Sequence, residues 1–318
     1  MPKETDFALR RESLRGTNDE PTYGGITSFL RRRYSRDLSE ADVAVLGIPF
    51  DLATTNRAGT RMGPRAIRTA SASVAWEEKV VGWGFSPMDA LAIVDHGDCA
   101  FDSGYPAGVP DEIYQCARDV LATDTALLAL GGDHFVSYPL LKAHAEKHGP
   151  LALIHFDAHS DTWEDSGPRI DHGTMFYHAA NEGLVLPEYS AQIGLRTYNA
   201  STQGFNVFDA PTVHEQGPRA IAQQVKTIVG DRACYLTFDI DCLDPSFAPG
   251  TGTPVVGGLS TYQALQILQQ LRGIQLVGMD VVEVSPPYDV SDITALAAAT
   301  VALQQLCLFA WARGARPD

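Results

Sequence analysis

Positive charge is scarce in this chain: 24 Lys and Arg stand against 39 Asp and Glu, a formal net charge of −15 at pH 7. So acidic a chain repels a phosphate backbone, which argues against nucleic acid as a partner. It favours cationic small molecules and metal ions. Cysteine is sparse as well. Cys99, Cys116, Cys234, Cys242 and Cys307 are odd in number and form no Cys-x-x-Cys pair. That argues against a disulfide framework and suits a reducing, cytoplasmic setting. No uninterrupted apolar run of about 18 residues occurs, so no membrane span is expected. The N-terminal stretch lacks the apolar segment of a signal peptide, and its arginines are mixed with Glu4, Asp6, Glu12, Asp19 and Glu20, unlike a transit peptide. There is no internal repeat and no low-complexity linker to divide the chain.

What is present is a chain of 318 residues, 45% hydrophobic, enough for one sizeable core. Residues 1–40 are polar and irregular and read as an N-terminal arm, with 41–318 as a single domain. Strand candidates fall at 43–48, 91–95, 127–130, 151–156, 190–194, 206–208, 234–238 and 275–279. Amphipathic helical stretches lie among them at 111–123, 139–147, 218–229 and 261–271. Strand alternating with helix predicts an α/β fold of three α/β/α layers around a mostly parallel sheet. Several of the strands are apolar throughout, as strands covered on both faces should be.

Open parallel sheets bind ligands beyond the carboxyl ends of their strands, and there the sequence is rich in Asp, His and Gly. Gly131-Gly132-Asp133-His134 follows one strand, Asp157-Ala158-His159-Ser160-Asp161 a second, and Asp239-Ile240-Asp241 a third. If the chain stays extended, the i, i+2, i+4 spacing turns each set to one side. Asp157, Asp161, Asp239 and Asp241 would then crowd four negative charges together, and two divalent cations would cancel them. Oxygen ligands with two imidazoles and no thiolate favour Mn²⁺ over zinc. The remaining histidines, His96, His144, His148, His155, His178 and His214, show no convincing partner set and read as packing or surface residues.

At these motifs the sequence resembles the ureohydrolase family of arginases, agmatinases, guanidinobutyrases and formiminoglutamases. The run Thr237-Phe-Asp-Ile-Asp-Cys-Leu-Asp-Pro245 and its continuation Ala248-Pro-Gly-Thr-Gly-Thr-Pro254 are typical of it. The resemblance covers nearly all of the chain from about Gly47. It implies an arginase-like α/β/α fold with an eight-stranded sheet, a trimer or hexamer, and two Mn²⁺ per subunit. His134, Asp157, Asp161 and Asp239 match the ligands of one metal; His159, Asp157, Asp239 and Asp241 match those of the other. His172, in Asp171-His-Gly-Thr174, matches a proton-shuttling histidine, and Glu283, in Val281-Val-Glu-Val-Ser285, matches the carboxylate that holds the guanidinium. The implied reaction is attack on the guanidinium carbon by hydroxide bridging the metals. Asp241 would take the proton and His172 would protonate the departing amine.

Within the family the chain is most similar to bacterial agmatinases, through Gly47-Ile-Pro-Phe-Asp51, Asp171-His-Gly-Thr-Met-Phe176 and Ile293-Thr-Ala-Leu-Ala-Ala-Ala-Thr300. This implies agmatine as substrate, with putrescine and urea as products. The stretch after the second motif is acidic, with Glu164, Asp165 and Asp171, where arginases hold an α-carboxylate. Glu164 and Asp165 are the candidates for binding agmatine's ammonium. A guanidinobutyrase would need a basic pocket, for which Arg169 is the one nearby candidate. A deacetylase-like enzyme on the same fold would need one zinc with a His and two Asp, unlike the six-ligand set here. An inactive metal-binding relative should have lost ligands, and none is lost.

Overall fold

The computed structural model describes residues 5–317 other than 168 and 170. Residues 1–4 of the expected arm, Asp318, and two positions of the acidic loop, Pro168 and Ile170, therefore lie outside the described residues. Nine strands form one sheet: β1 (Arg33–Tyr34), β2 (Val43–Ile48), β3 (Ile93–Asp98), β4 (Ala126–Gly131), β5 (Ala152–Phe156), β6 (Ala191–Ile193), β7 (Asn206–Phe208), β8 (Ala233–Asp239) and β9 (Gln275–Val282). Their order across the sheet is β1-β3-β2-β4-β9-β8-β5-β6-β7. Every pairing between these strands is parallel. The strand beyond the eight expected is β1, at the edge beside β3.

The helices are α1 (Phe7–Arg10), α2 (Gly63–Ser71), α3 (Pro87–Ala90), α4 (Val109–Leu121), α5 (Ser137–His148), α6 (Met175–Asn181), α7 (Ala210–Gln216), α8 (Pro218–Val229), α9 (Thr261–Gln270) and α10 (Ile293–Ala312). Side-chain alternation along the strands builds two cores. Val43 and Val45 of β2 join Ile67 of α2, Ile221 of α8, Ile267 of α9 and Leu306 of α10 on one face. Ala44, Leu46 and Ile48 join Ile113 of α4, Leu140 of α5 and Phe176 of α6 on the other. Strands covered on both faces need no polar side, which is why β2 and β4 are buried at every residue.

Local chemistry sets the helix ends. Ser260 and Gln263 form a reciprocal capping box at the start of α9. Pro64 sits in the first turn of α2 and Pro218 in that of α8, where no backbone donor is needed. Helix α10 has a mean hydropathy of 1.8, enough by length and composition for a membrane span, yet 78% of that stretch is buried inside the protein. It packs on α2, α9 and β9. Its apolar character covers the sheet.

Candidate metal centre

Strands β4, β9, β8 and β5 are neighbours at the middle of the sheet, and the chemistry-bearing residues stand at their carboxyl ends. His134 opens a short turn after β4, Asp157 to Asp161 follow β5, Asp239 ends β8 and Glu283 follows β9. The chain does not stay extended there, contrary to the expectation. Residues 240–242 form a 3₁₀ turn, and Asp161 lies in the left-handed region at φ 50°. Turning brings ligands from separate segments to one point, which a straight strand end cannot do. The turns are held by side chains: Asp239 Oδ1 accepts the Asp241 amide at 2.7 Å, and Asp241 Oδ1 accepts the Ala158 amide at 3.0 Å. Gly132 makes room for the neighbouring loop, since a Cβ there would lie 1.7 Å from the Phe50 carbonyl oxygen. Asp133 is buried and braces the same loops through the Ala53 and Phe135 amides.

The six expected ligands converge. His134 Nδ1 lies 3.0 Å from Asp157 Oδ2, 3.1 Å from Asp161 Oδ2 and 3.2 Å from Asp239 Oδ2. His159 Nδ1 lies 3.2 Å from Asp157 Oδ1 and 3.1 Å from Asp241 Oδ2. Asp157 thus turns one oxygen to each imidazole. It belongs to both groups of potential ligand atoms, each contained within 4.8 Å.

The tautomer of His134 follows from its other nitrogen. Nε2 is 2.8 Å from Thr237 Oγ1, whose own proton goes to Asp280 Oδ1 at 2.6 Å. The Thr237 oxygen therefore accepts from Nε2–H, and the Nδ1 lone pair faces the carboxylates. Nδ1 is buried and finds no donor among the described residues. An orphaned acceptor among three carboxylates fits a cation, and imidazole with carboxylate oxygens is a donor set that divalent ions accept.

The electrostatics agree. Burial, then the charges of Asp241 and Asp157, raise the Asp239 carboxyl well above its usual range. Burial and Asp157 raise Asp161. Burial opposes ionisation of Asp157 too, but the imidazoles of His155, His134 and His159 hold it well below. Burial would lower the His159 imidazole, yet Asp241 and Asp157 push it up to about 12. Protons bound at this level mark the positive charge that the site demands and that divalent ions would supply.

Glu283 also takes a left-handed backbone, φ 65°. Strain of this kind persists where surrounding structure enforces it, as at functional sites. Its Oε1 accepts the His134 amide at 2.8 Å and lies 2.9 Å from His172 Nδ1. Its Oε2 is buried and has no hydrogen-bond partner among the described residues. At the far side of the His172 ring, Nε2 receives the Thr55 amide at 3.2 Å and lies 2.8 Å from the Thr55 hydroxyl. Because that amide can only donate, Nε2 accepts in the neutral ring and Nδ1–H points at Glu283. Burial pulls the His172 pKa down, but Glu283, backed by Asp161 and Asp133, pushes it up to about 9.

Glu164 and Asp165 sit elsewhere. Glu164 is exposed. Asp165 lies 3.4 Å from His178 and lines a cleft of about 1080 Å³ with Phe135, Tyr138, Arg169 and Glu182. None of the six ligands lines that cleft. Among the described residues no hydrogen bond or ion pair joins Glu164 or Asp165 to Glu283 or His172.

Of the histidines read as packing or surface residues, His144 is packed and fully buried, as expected, and His178 lies 3.4 Å from Asp165. His155 differs: it is buried against Asp157 at 2.7 Å. Sequence reasoning also missed Thr237, Asp280 and Thr55, which orient the site's imidazoles. A signal existed for Thr237, which alternates with Asp239 on one face of β8; Asp280 is tied to it only by the cross-strand register. Cys242, in the 3₁₀ turn, directs its thiol to the Ile193 carbonyl at 3.6 Å.

Comparison with known proteins agrees with this geometry. Residues 41–307 match the arginase family. The chain is 56% identical to an agmatinase of Chromobacterium violaceum over 95% of its own length and 94% of that protein. A crystal structure of a hypothetical agmatinase from Burkholderia thailandensis superposes with a TM-score of 0.96 at 54% identity, covering 98% of this chain and 99% of that one. Proclavaminate amidino hydrolase from Streptomyces clavuligerus gives a TM-score of 0.86 at 37% identity, covering 92% of this chain and 100% of that one. By sequence and by fold, the chain belongs to the arginase family.

Proposed function

We propose that the chain hydrolyses agmatine to putrescine and urea with two Mn²⁺ ions per subunit. The observation that carries this reading is Glu283 Oε2, a buried acceptor without a partner among the described residues, beside two groups of potential metal-ligand atoms. A guanidinium supplies planar N–H donors that suit such an oxygen. The relatives named agmatinase, at 50–56% identity, support agmatine as the guanidine. His134, Asp157, Asp161 and Asp239 would hold one cation, and His159, Asp157, Asp239 and Asp241 the other. Bound there, divalent cations supply the Lewis acidity that makes water a nucleophile near neutral pH.

The chain's own residues do the rest. Glu283 fixes the guanidinium with its carbon toward the cluster. Asp241 Oδ2, beside His159 and 3.2 Å from the Thr253 hydroxyl, accepts the proton lost by the attacking water. His172 delivers a proton to the departing amine, which leaves poorly without one. Glu164 and Asp165 are proposed to meet the distal ammonium from the cleft side. The double change Glu164→Gln with Asp165→Asn is expected to raise KM for agmatine several-fold with kcat little changed, as for loss of uniform binding. An unchanged KM in steady-state assays dismisses that role. A carboxylate-tailed guanidine is disfavoured because Arg169, the cation considered for its tail, lies 3.4 Å from Asp171. The working form is proposed to be a cytoplasmic homo-oligomer.

The deciding assay incubates Mn²⁺-loaded protein with agmatine, arginine and 4-guanidinobutyrate separately and measures urea. Urea chiefly from agmatine is the expected result. Urea chiefly from another guanidine moves the assignment within the family, and none from any of the three, with two metals bound, overturns it.

A further inference from the structure

We propose that His155, set by Gln192, is a positioning residue that holds the shared carboxylate of Asp157 in place for both cations. The inference rests on the two-metal reading of the site. His155 and Gln192 are paired across β5 and β6 and are both fully buried. Gln192 Nε2 lies 2.7 Å from the Ser160 carbonyl and 3.0 Å from His155 Nδ1. A carbonyl only accepts, so the atom facing it is the amide nitrogen, and its second hydrogen goes to Nδ1. His155 therefore offers a lone pair at Nδ1 and carries its proton on Nε2, 2.7 Å from Asp157 Oδ2.

Three consequences follow. First, His155 shows Asp157 a hydrogen and no lone pair, so it is not a ligand, although it lies within the ligand-sized group of His134, Asp157 and Asp161. Second, both oxygens of Asp157 are pinned. Oδ2 is held by His155, and Oδ1 accepts the His159 amide at 2.6 Å. Each oxygen keeps a lone pair for the side where His134 or His159 stands. Third, the imidazole is packed in place by edge-to-face contacts with Phe176 at 4.6 Å and His134 at 5.1 Å, two rings that also meet each other at 5.3 Å. The Gln192 amide keeps this orientation although its Oε1 is left buried without a partner. Reversing the amide would set Oε1 against the Ser160 carbonyl. Hydrogen bonds of this kind behind metal ligands fix carboxylate orientation.

The test is Mn²⁺ binding by calorimetry and the Mn²⁺ EPR spectrum, alongside melting of the chelator-treated protein. His155→Phe fills the space without a donor, and Gln192→Leu removes the lock without touching a ligand. Each is expected to weaken Mn²⁺ binding roughly 10–100-fold, most at the His134 side, and to change the exchange coupling between the two ions. His155→Gln keeps an N–H near the place of Nε2 and is expected to recover most of the loss. Wild-type affinity in His155→Phe overturns the proposal, and so does a His155→Gln variant as weak as His155→Phe. Should His155→Phe fail to fold, Gln192→Leu decides alone: weakened binding supports the proposal and unchanged binding overturns it. Wild-type protein that binds two Mn²⁺ but releases no urea overturns the proposed function and leaves this inference intact. Wild-type protein that binds no Mn²⁺ overturns both.

Discussion

Replacing Glu283 with Gln is expected to lower kcat/KM for the guanidine substrate roughly 10²–10³-fold while both cations stay bound. The change is nearly isosteric, so the loss reports chemistry and not a cavity. Glu283 Oε1 already accepts two N–H groups, from His134 and His172, and Oε2 waits for a third donor. A carboxylate can accept at both oxygens, but an amide must present an NH₂ at one of them. In either amide orientation of Glu283→Gln, that NH₂ meets another N–H. It faces either His134 and His172 or the guanidinium, and the negative charge opposite the cation is gone. Removing one partner of a buried charged pair costs about 2–5 kcal/mol, which sets the range given. Steady-state kinetics beside metal analysis separates the outcomes. A variant within tenfold of wild type, with two metals bound, removes Glu283 from the guanidinium-holding role. Lost metals would mean instead that Glu283 holds the cluster through the His134 amide.

Much of this site was legible as residue types at fixed spacings after apolar strands. The six expected ligands stand together in the fold because β4, β5 and β8 end near one another, and a parallel sheet gives that from strand order alone. The reason offered from spacing was nevertheless wrong. Asp157 to Asp161 and Asp239 to Asp241 converge through turns, one with a left-handed Asp161, and no periodicity encodes a turn of that kind. His155 and Asp280 were illegible for a different cause. Their meaning lies in cross-strand register, His155 with Gln192 and Asp280 with Thr237. The partners stand 37 and 43 residues apart, on β5 with β6 and on β8 with β9, and their register has to be known first. At the edge of the sheet, β1 is two residues long and both of its side chains are exposed, so it carried no strand pattern. Yet the neighbouring Phe29 and Leu30 are fully buried in the core, within a stretch that reads as polar on average. Helix α10 shows no amphipathic stripe because it is buried around most of its girth, and a stripe was the signal sought.

Adding Mn²⁺ to chelator-treated protein is expected to raise Tm by about 10 °C at pH 7 to 8, on the estimate of two sites near 100-fold saturation at roughly 2.7 kcal/mol each. The gain is expected to shrink steadily toward pH 5.5. Its sign follows from the groups that cations would replace. In the absence of cations, His134 and His159 titrate above their usual 6.5, His159 at about 12. Groups raised in this way stabilise the fold fully below 6.5, and that contribution is lost as pH rises toward their folded values. Asp161 and Asp239, raised above 3.8, act in the same sense. Between 3.8 and their folded values the folded chain holds more protons than the unfolded one, so stability falls as pH climbs through that window. Asp157 is depressed and opposes them, but its contribution is lost only as pH falls through a value well under 3.8. Chelated protein should therefore melt at lower temperature at pH 8.5 than at pH 6.5. Cation binding displaces those protons, so it strengthens as pH rises and its slope runs opposite to that of the chelated protein. Thermal melts with and without Mn²⁺ at pH 5.5, 7 and 8.5 measure both slopes. A gain independent of pH, or one that survives Asp157→Asn, would place the stabilising cations somewhere other than this cluster, because Asp157 alone offers an oxygen to each imidazole.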